Sequence, residues 1–320
     1  MNILVVRTDK LGDFITALPT IYTLKKYSSK NRLIVCIAPL NVALAKSCDF
    51  IDEVIVDEAD NSVFTLAQKI KEQNIDVSLT LFSNTRVAFA QFLARVPTRI
   101  APAIKIAQIF YTKRVKQKRS QVKMAEYEYN LELAKTLFPD ISLTYPSPLL
   151  SFRDAKQIYD VFCINNDIEK EVIAFHVGFG GSSDANLTLD EYENLIRNIV
   201  LQKKYQVVLT FGPDEKELYE HMQDRLGELD IVYYLSLDGL IYFAKLISSF
   251  KLFVSTSTGT YHLASLVGTP TMTFFADTLF ASAKRWKGIG SSSLQKHYML
   301  PSEKTKRDDI FQTIKMDLLH

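Results

Sequence analysis

Residues able to do chemistry collect at four places in the chain, each just after a short apolar run. The first is Arg7-Thr8-Asp9-Lys10-Leu11-Gly12-Asp13, following Asn2–Val6. Gly12 would supply the turn, and Asp13 would either cap the next helix or act as a general base toward a hydroxyl. Both readings stay open. The second is Gly178-Phe179-Gly180-Gly181-Ser182-Ser183, following the run that ends in His176-Val177. Its glycines would let the backbone approach a diphosphate closely, and His176 itself reads as a structural histidine. The third is Gly212-Pro213-Asp214-Glu215, after Gln206–Phe211. Acids there suit the first turn of a helix, and Glu215 could instead hold ribose hydroxyls. The fourth is Ser255-Thr256-Ser257-Thr258-Gly259-Thr260-Tyr261-His262, after Leu252–Val254. Its hydroxyls would cap a helix, or its free N–H groups would receive an anion. No GxGxxG follows the first strand and no GxxxxGK[ST] occurs, so neither a dinucleotide fingerprint nor a P-loop is present.

The elements that must hold these loops follow from hydropathy. Strand-like runs fall at Asn2–Val6, Leu33–Ala38, Glu53–Val56, Val77–Leu81 and Thr98–Ala101. A second set falls at Val172–Val177, Gln206–Phe211, Ile231–Tyr234, Leu252–Val254 and Thr271–Phe275. Helix-like segments separate them, among them Asp13–Tyr27, Ala125–Leu137, Leu189–Gln202 and Gly259–Leu266. Continuous apolar strands alternating with helices predict an α/β fold of two doubly wound parallel sheets. Pro146 and Pro148 divide the sets, giving domains over 1–148 and 149–300 with a ligand cleft expected between them.

Composition limits the function classes. The chain has 320 residues and a net charge of +2, with 20 Lys/Arg against 14 Asp/Glu up to residue 150. Six cations and no acids lie within Lys113–Lys123. That run is either a solvated loop or a landing surface for phosphates, with lipid phosphate favoured because no nucleic-acid motif accompanies it. Cys36, Cys48 and Cys163 lack ligand spacing and read as reduced thiols, which predicts a cytoplasmic protein without a zinc site. The uncharged stretch Leu252–Ala276 is rich in Ser and Thr and contains Pro270, so it reads as strand, turn, helix and strand rather than a membrane span.

The Gly12-Asp13 motif with Leu18-Pro19, the Gly-rich loop after His176, the Ser257–Ala264 turn and Glu128-Tyr129-Asn130-Leu131-Glu132-Leu133-Ala134 together resemble glycosyltransferase family 9. These are the ADP-heptose:lipopolysaccharide heptosyltransferases, of GT-B fold. The resemblance spans the chain. It implies an inverting, metal-independent transfer from a nucleotide sugar, heptose from ADP-heptose foremost, to the lipid A-core acceptor, on the inner face of the inner membrane, by a monomeric peripheral protein. The alternatives are a different sugar transferase or an epimerase on the same fold, or a non-catalytic nucleotide-sugar-binding protein. Asp13 would be the base. Ser182, Ser183, Glu215, Ser257, Thr258, Gly259 and His262 would hold the donor. Lys10, Arg86, Lys116, Lys118 and Arg119 would receive the acceptor, and residues 301–320 would pack back on the first domain. Two places depart from the family pattern: Ala185 and Leu187 stand where a Lys and an aromatic are common, and Ser257 where Asp is. Both touch donor contacts, not the base.

Overall fold

The structure is a computed structural model that describes residues 1–58, 60–103, 106–178 and 185–319. The chain divides into two compact units, Met1–Pro146 and Ser147–His320. In the first, strands β1 (Asn2–Arg7), β2 (Arg32–Ile37), β3 (Glu53–Val56), β4 (Val77–Thr80), β5 (Thr98–Pro102) and β6 (Lys113–Val115) are all parallel, in the order β3-β2-β1-β4-β5-β6. Helices α1 (Leu11–Tyr27), α2 (Val42–Lys46), α3 (Val63–Glu72), α4 (Thr85–Leu93) and α5 (Glu126–Leu137) complete it. In the register, Ile3 faces Leu33 on one side and Val77 on the other. Ile3 to Val6 are fully buried because helices cover both sides of the strand, which is why β1 has no polar alternation.

The second unit repeats the plan. Strands β7 (Val172–His176), β8 (Gln206–Phe211), β9 (Ile231–Leu235), β10 (Leu252–Thr256), β11 (Thr271–Ala276) and β12 (Gln295–Leu300) run parallel in the order β12-β11-β10-β7-β8-β9. Counted from its own first strand this is the same order as the first sheet. The helices are α6 (Ala155–Asn165), α7 (Leu189–Gln202), α8 (Lys216–Leu226), α9 (Leu240–Ile247), α10 (Gly259–Leu266), α11 (Ala283–Trp286) and α12 (Lys304–Leu319). Such sheets bind ligands where the strand order reverses, outside the carboxyl ends of the central strands. Those points are β1/β4 and β7/β10, and Asp13 and Thr258 follow two of the four strands concerned.

Three details correct the sequence reading. Gly12 lies within the first turn of α1, and Lys10 holds the N-cap position, so Asp13 does not cap that helix. Lys113–Val115, read as part of a basic loop, forms the edge strand β6; lysine on an edge discourages further strand pairing. Residues 301–320 do not form a segment assigned to the first domain. Ile314 and Leu318 of α12 are buried in the core of the second unit, and Arg307 pairs with Glu191 of α7 at 2.6 Å. The stretch 252–276 is β10, α10 and β11 as expected, and among the described residues no helix is long and apolar enough to cross a membrane.

Candidate active site

At the end of β1 the continuous apolar run stops at Arg7, a guanidinium that is only 2% exposed. Its three nitrogens each meet a different carboxylate. Nε donates to Asp9 Oδ1 at 2.8 Å, Nη1 to Glu126 Oε1 at 3.3 Å, and Nη2 to Asp13 Oδ1. Glu126, in the first turn of α5, is as buried as Arg7 and also pairs with Arg119. Asn130, one turn further along α5, donates to Thr16 O and Oγ1 of α1 at 3.2 Å and accepts from Arg119 Nη2 at 3.3 Å. Asn41 donates to the Asp9 carbonyl at 3.2 Å, which holds the loop between β1 and α1 from the side.

Two cations and three carboxylates therefore share one buried network, with a balance of −1 when all are charged. Burial opposes the charge on Arg7, yet Asp9, Asp13 and Glu126 more than offset it and hold Arg7 above its ordinary value. Burial pushes Asp9 up to about 6, with Arg7 pulling it down and Asp13 adding to the rise. Asp13 is the better placed for proton transfer. It sits on a rigid helical turn, Arg7 engages Oδ1, and its side chain stays 20% open. Arg7 leaves Oδ2 unengaged, which is the geometry a general base needs.

The second unit presents other chemistry at the matching point. His176 closes β7, buried, with Nδ1 3.1 Å from Thr210 Oγ1 on β8. Burial lowers its pKa although Glu215 works in the other direction. Glu215 reaches back across the end of β8. Its Oε2 accepts from Gly212 N at 2.7 Å and lies 3.8 Å from His176 Nε2. A Cβ on Gly178 would stand 2.0 Å from Glu215 Oε1, so glycine there is what lets the carboxylate lie against the end of β7.

Beside it, β10 gives way to α10 at Thr258. The Thr258 side chain makes no capping bond; its hydroxyl pairs with Thr260 Oγ1 at 2.8 Å. The first amides of α10 are therefore not satisfied by the N-cap side chain, and they suit an anion. Ser257 N continues the ladder to Phe274 O, and Thr256 Oγ1 donates to Ala185 O at 2.6 Å, tying β10 to the end of the Gly-rich segment. His262 is 4% exposed and its Nδ1 has no partner among the described residues. Burial, helped by His297, lowers its pKa to about 4, so it is neutral near pH 7.

A sequence model of glycosyltransferase family 9 (heptosyltransferase) matches residues 63–314. The chain belongs to glycosyltransferase family 9. A Haemophilus influenzae protein described as "Putative glycosyltransferase" is 34% identical over 306 residues, covering 92% of this chain and 88% of its own. The fold is that of Escherichia coli ADP-heptose lps heptosyltransferase II, with a TM-score of 0.78, 16% identity and 99% of both chains covered. It is equally that of E. coli heptosyltransferase WaaC with ADP, with a TM-score of 0.73, 16% identity, 99% of this chain and 100% of the other. The family-9 chain is thus a GT-B-like α/β glycosyltransferase.

The structure groups the expected donor residues Ser257, Thr258, Gly259 and His262 at the junction of β10 and the first turn of α10, and sets Glu215 at the N-cap of α8, after β8, which β7 separates from β10 in the sheet. Ser182 and Ser183 lie outside the described residues. The acceptor set is less uniform. Lys10, Lys116 and Lys118 are exposed, and Lys116 lines a cavity of about 380 Å³ with Gln117, Met124, Tyr129, Glu132 and Lys135. Arg86 is not free: both Asp57 oxygens, on a carboxylate 3% exposed, accept from its Nη2 at 2.5 and 2.6 Å. Arg119 is likewise engaged by Glu126, Asn130 and Gln117. Arg86 thus ties α4 to the residue after β3, and Arg119 is held against α5. Sequence reasoning missed Arg7 and Glu126, whose signal was a charge placed directly after a fully apolar strand and an acid beginning a helix.

Proposed function

We propose that this protein is an inverting heptosyltransferase that moves heptose from ADP-heptose to the lipopolysaccharide or lipooligosaccharide core. The observation that carries it is Asp13, held on the first turn of α1 by the buried Arg7 through Oδ1 with its side chain still partly exposed. In this reading the first unit receives the phosphorylated acceptor and the second binds the donor. The acceptor oxygen attacks C1 as Asp13 takes its proton; the bond from C1 to the diphosphate oxygen breaks, and ADP leaves with that electron pair. Backbone amides at Thr258 and Gly259, with the α10 dipole, receive the negative charge of the leaving group, and the neutral His262 adds a polar atom without adding charge. Those groups allow the transfer to proceed without a metal.

Support for ADP-heptose comes from the family and from the nucleotide in the E. coli neighbour with ADP. Incubation with ADP-heptose and a core acceptor should release ADP and give a single product of inverted anomeric configuration, undiminished by a chelator. Asp13→Asn should lower kcat by roughly two to four orders of magnitude. Turnover near the parent value in that variant would remove Asp13 from the mechanism. Activity with a different nucleotide sugar alone would replace the donor.

A further inference from the structure

Residues 77–125 contain ten Lys and Arg and no Asp or Glu. Arg86 and Arg119 are spent on Asp57 and Glu126, but Lys113, Arg114, Lys116 and Lys118 form no ion pair among the described residues. Lys113 and Arg114 stand exposed on β6, the edge strand. On the same border of the first unit, a 3-10 turn at Ile106–Phe110 is pinned inward by Ala107, which packs with Ala88, Ala101 and Tyr111. In such a turn residues three apart eclipse, so Ile106 and Ile109 share a side. They are 75% and 63% exposed, and Phe92 at the end of α4 is 48% exposed. Phe92, Phe89 and Phe110 form one aromatic cluster with centroids 5.1 to 6.3 Å apart. The Arg99 guanidinium lies 5.6 Å over Phe92 and donates to Phe110 O at 2.6 Å, joining the cluster to the start of β5.

We propose that this border docks on the surface of an anionic phospholipid bilayer. Phe92, Ile106 and Ile109 enter the headgroup region while Lys113 and Arg114 lie against lipid phosphates. Charge selects this occupant. A second copy pairing through the same patch would set its cations against these, with no carboxylate in the segment to offset them. A nucleic acid would use the cations and leave the aliphatic side chains unexplained. The inference rests on the heptosyltransferase reading only for its purpose, which is to bring the enzyme to a lipid-linked acceptor.

Co-sedimentation of the full chain with vesicles tests it without any substrate. The protein should pellet with phosphatidylcholine vesicles that contain phosphatidylglycerol and stay in solution with phosphatidylcholine alone. Lys113→Gln with Arg114→Gln should lower the partition by roughly thirtyfold, and high salt should do the same to the parent. Ile106→Ser with Ile109→Ser should lower it by at least about tenfold while leaving thermal stabilisation by ADP unchanged, which shows the variant is folded. Equal pelleting with neutral vesicles, or unchanged pelleting of the isoleucine variant, would overturn the docking surface. So would a parent dimer that this variant splits while neither binds lipid. Loss of vesicle binding with transfer to a soluble acceptor intact sinks only the docking; loss of transfer with vesicle binding intact sinks only the heptosyltransferase reading.

Discussion

The two units share one strand order and put opposite chemistry at the same topological point. Where the first reverses direction, at β1/β4, the strand end carries full charges: Arg7 surrounded by Asp9, Asp13 and Glu126. Where the second reverses, at β7/β10, the described residues are hydroxyls, glycine and histidines whose pKa burial lowers, and Glu215, from the end of the adjacent β8, folds back on a backbone amide. The fold supplies the place and the residues decide the task. A network of fixed charges can aim a base and hold its geometry, whereas uncharged dipoles can receive a diphosphate without a resident counter-charge to displace.

The sharpest way to break the contrast is to remove its pivot. Arg7→Met leaves Asp9 and Asp13 without their cation and Glu126 with Arg119 alone, and unfolding free energy should fall by about 3–5 kcal/mol, read by denaturant melts. A smaller loss would mean that the network is solvated and not fixed. The units should also answer pH in opposite directions. Asp9 has a folded pKa raised to about 6, so its contribution to stability is present at low pH and is lost as pH rises from about 4 to 6. His262 has a folded pKa lowered to about 4, so its contribution is present above about 6.5 and is lost as pH falls toward 4. Each swing is on the order of 3 kcal/mol. Comparing the melts of Asp9→Asn and His262→Asn with the parent at both ends of that range should give differences of opposite sign; the same sign in both would remove the contrast. The smallest effect is expected at Arg86. Arg86→Gln should cost about 1–3 kcal/mol of stability by stranding Asp57 and leave the acceptor KM unchanged. A raised KM would return Arg86 to the acceptor site.

Most of this architecture was legible because buried parallel strands are written as unbroken apolar runs. Leu33–Ile37 and Gln206–Phe211 needed no further information. Of the four outer strands, β3 and β9 were legible, and β6 and β12 were not. Lys113-Arg114-Val115 looks like a solvated loop, and Gln295-Lys296-His297-Tyr298 looks like a turn, because both edge strands lack the apolar run that marks β3 and β9. At the site, Asp13 and the Thr258-Gly259 turn showed in sequence since each is a local strand-to-helix junction. Arg7 did not, because its meaning depends on Glu126, 119 residues away. For the same reason Arg86 and Arg119 read as free cations: Asp57 and Glu126, the carboxylates that occupy them, come from other elements. A basic residue in sequence shows its charge and hides its partner.

The division of labour between the units is tested most directly by calorimetric titration of ADP into the parent, Asp13→Asn and Gly178→Ala side by side. Asp13→Asn should bind ADP as the parent does. Gly178→Ala pushes the Glu215 carboxylate from the end of β7 and should weaken ADP by about tenfold, a cost near 1.4 kcal/mol. Asp13→Asn weakening ADP as much as Gly178→Ala, or Gly178→Ala binding it unchanged, would contradict the assignment of proton chemistry to the first unit and donor binding to the second.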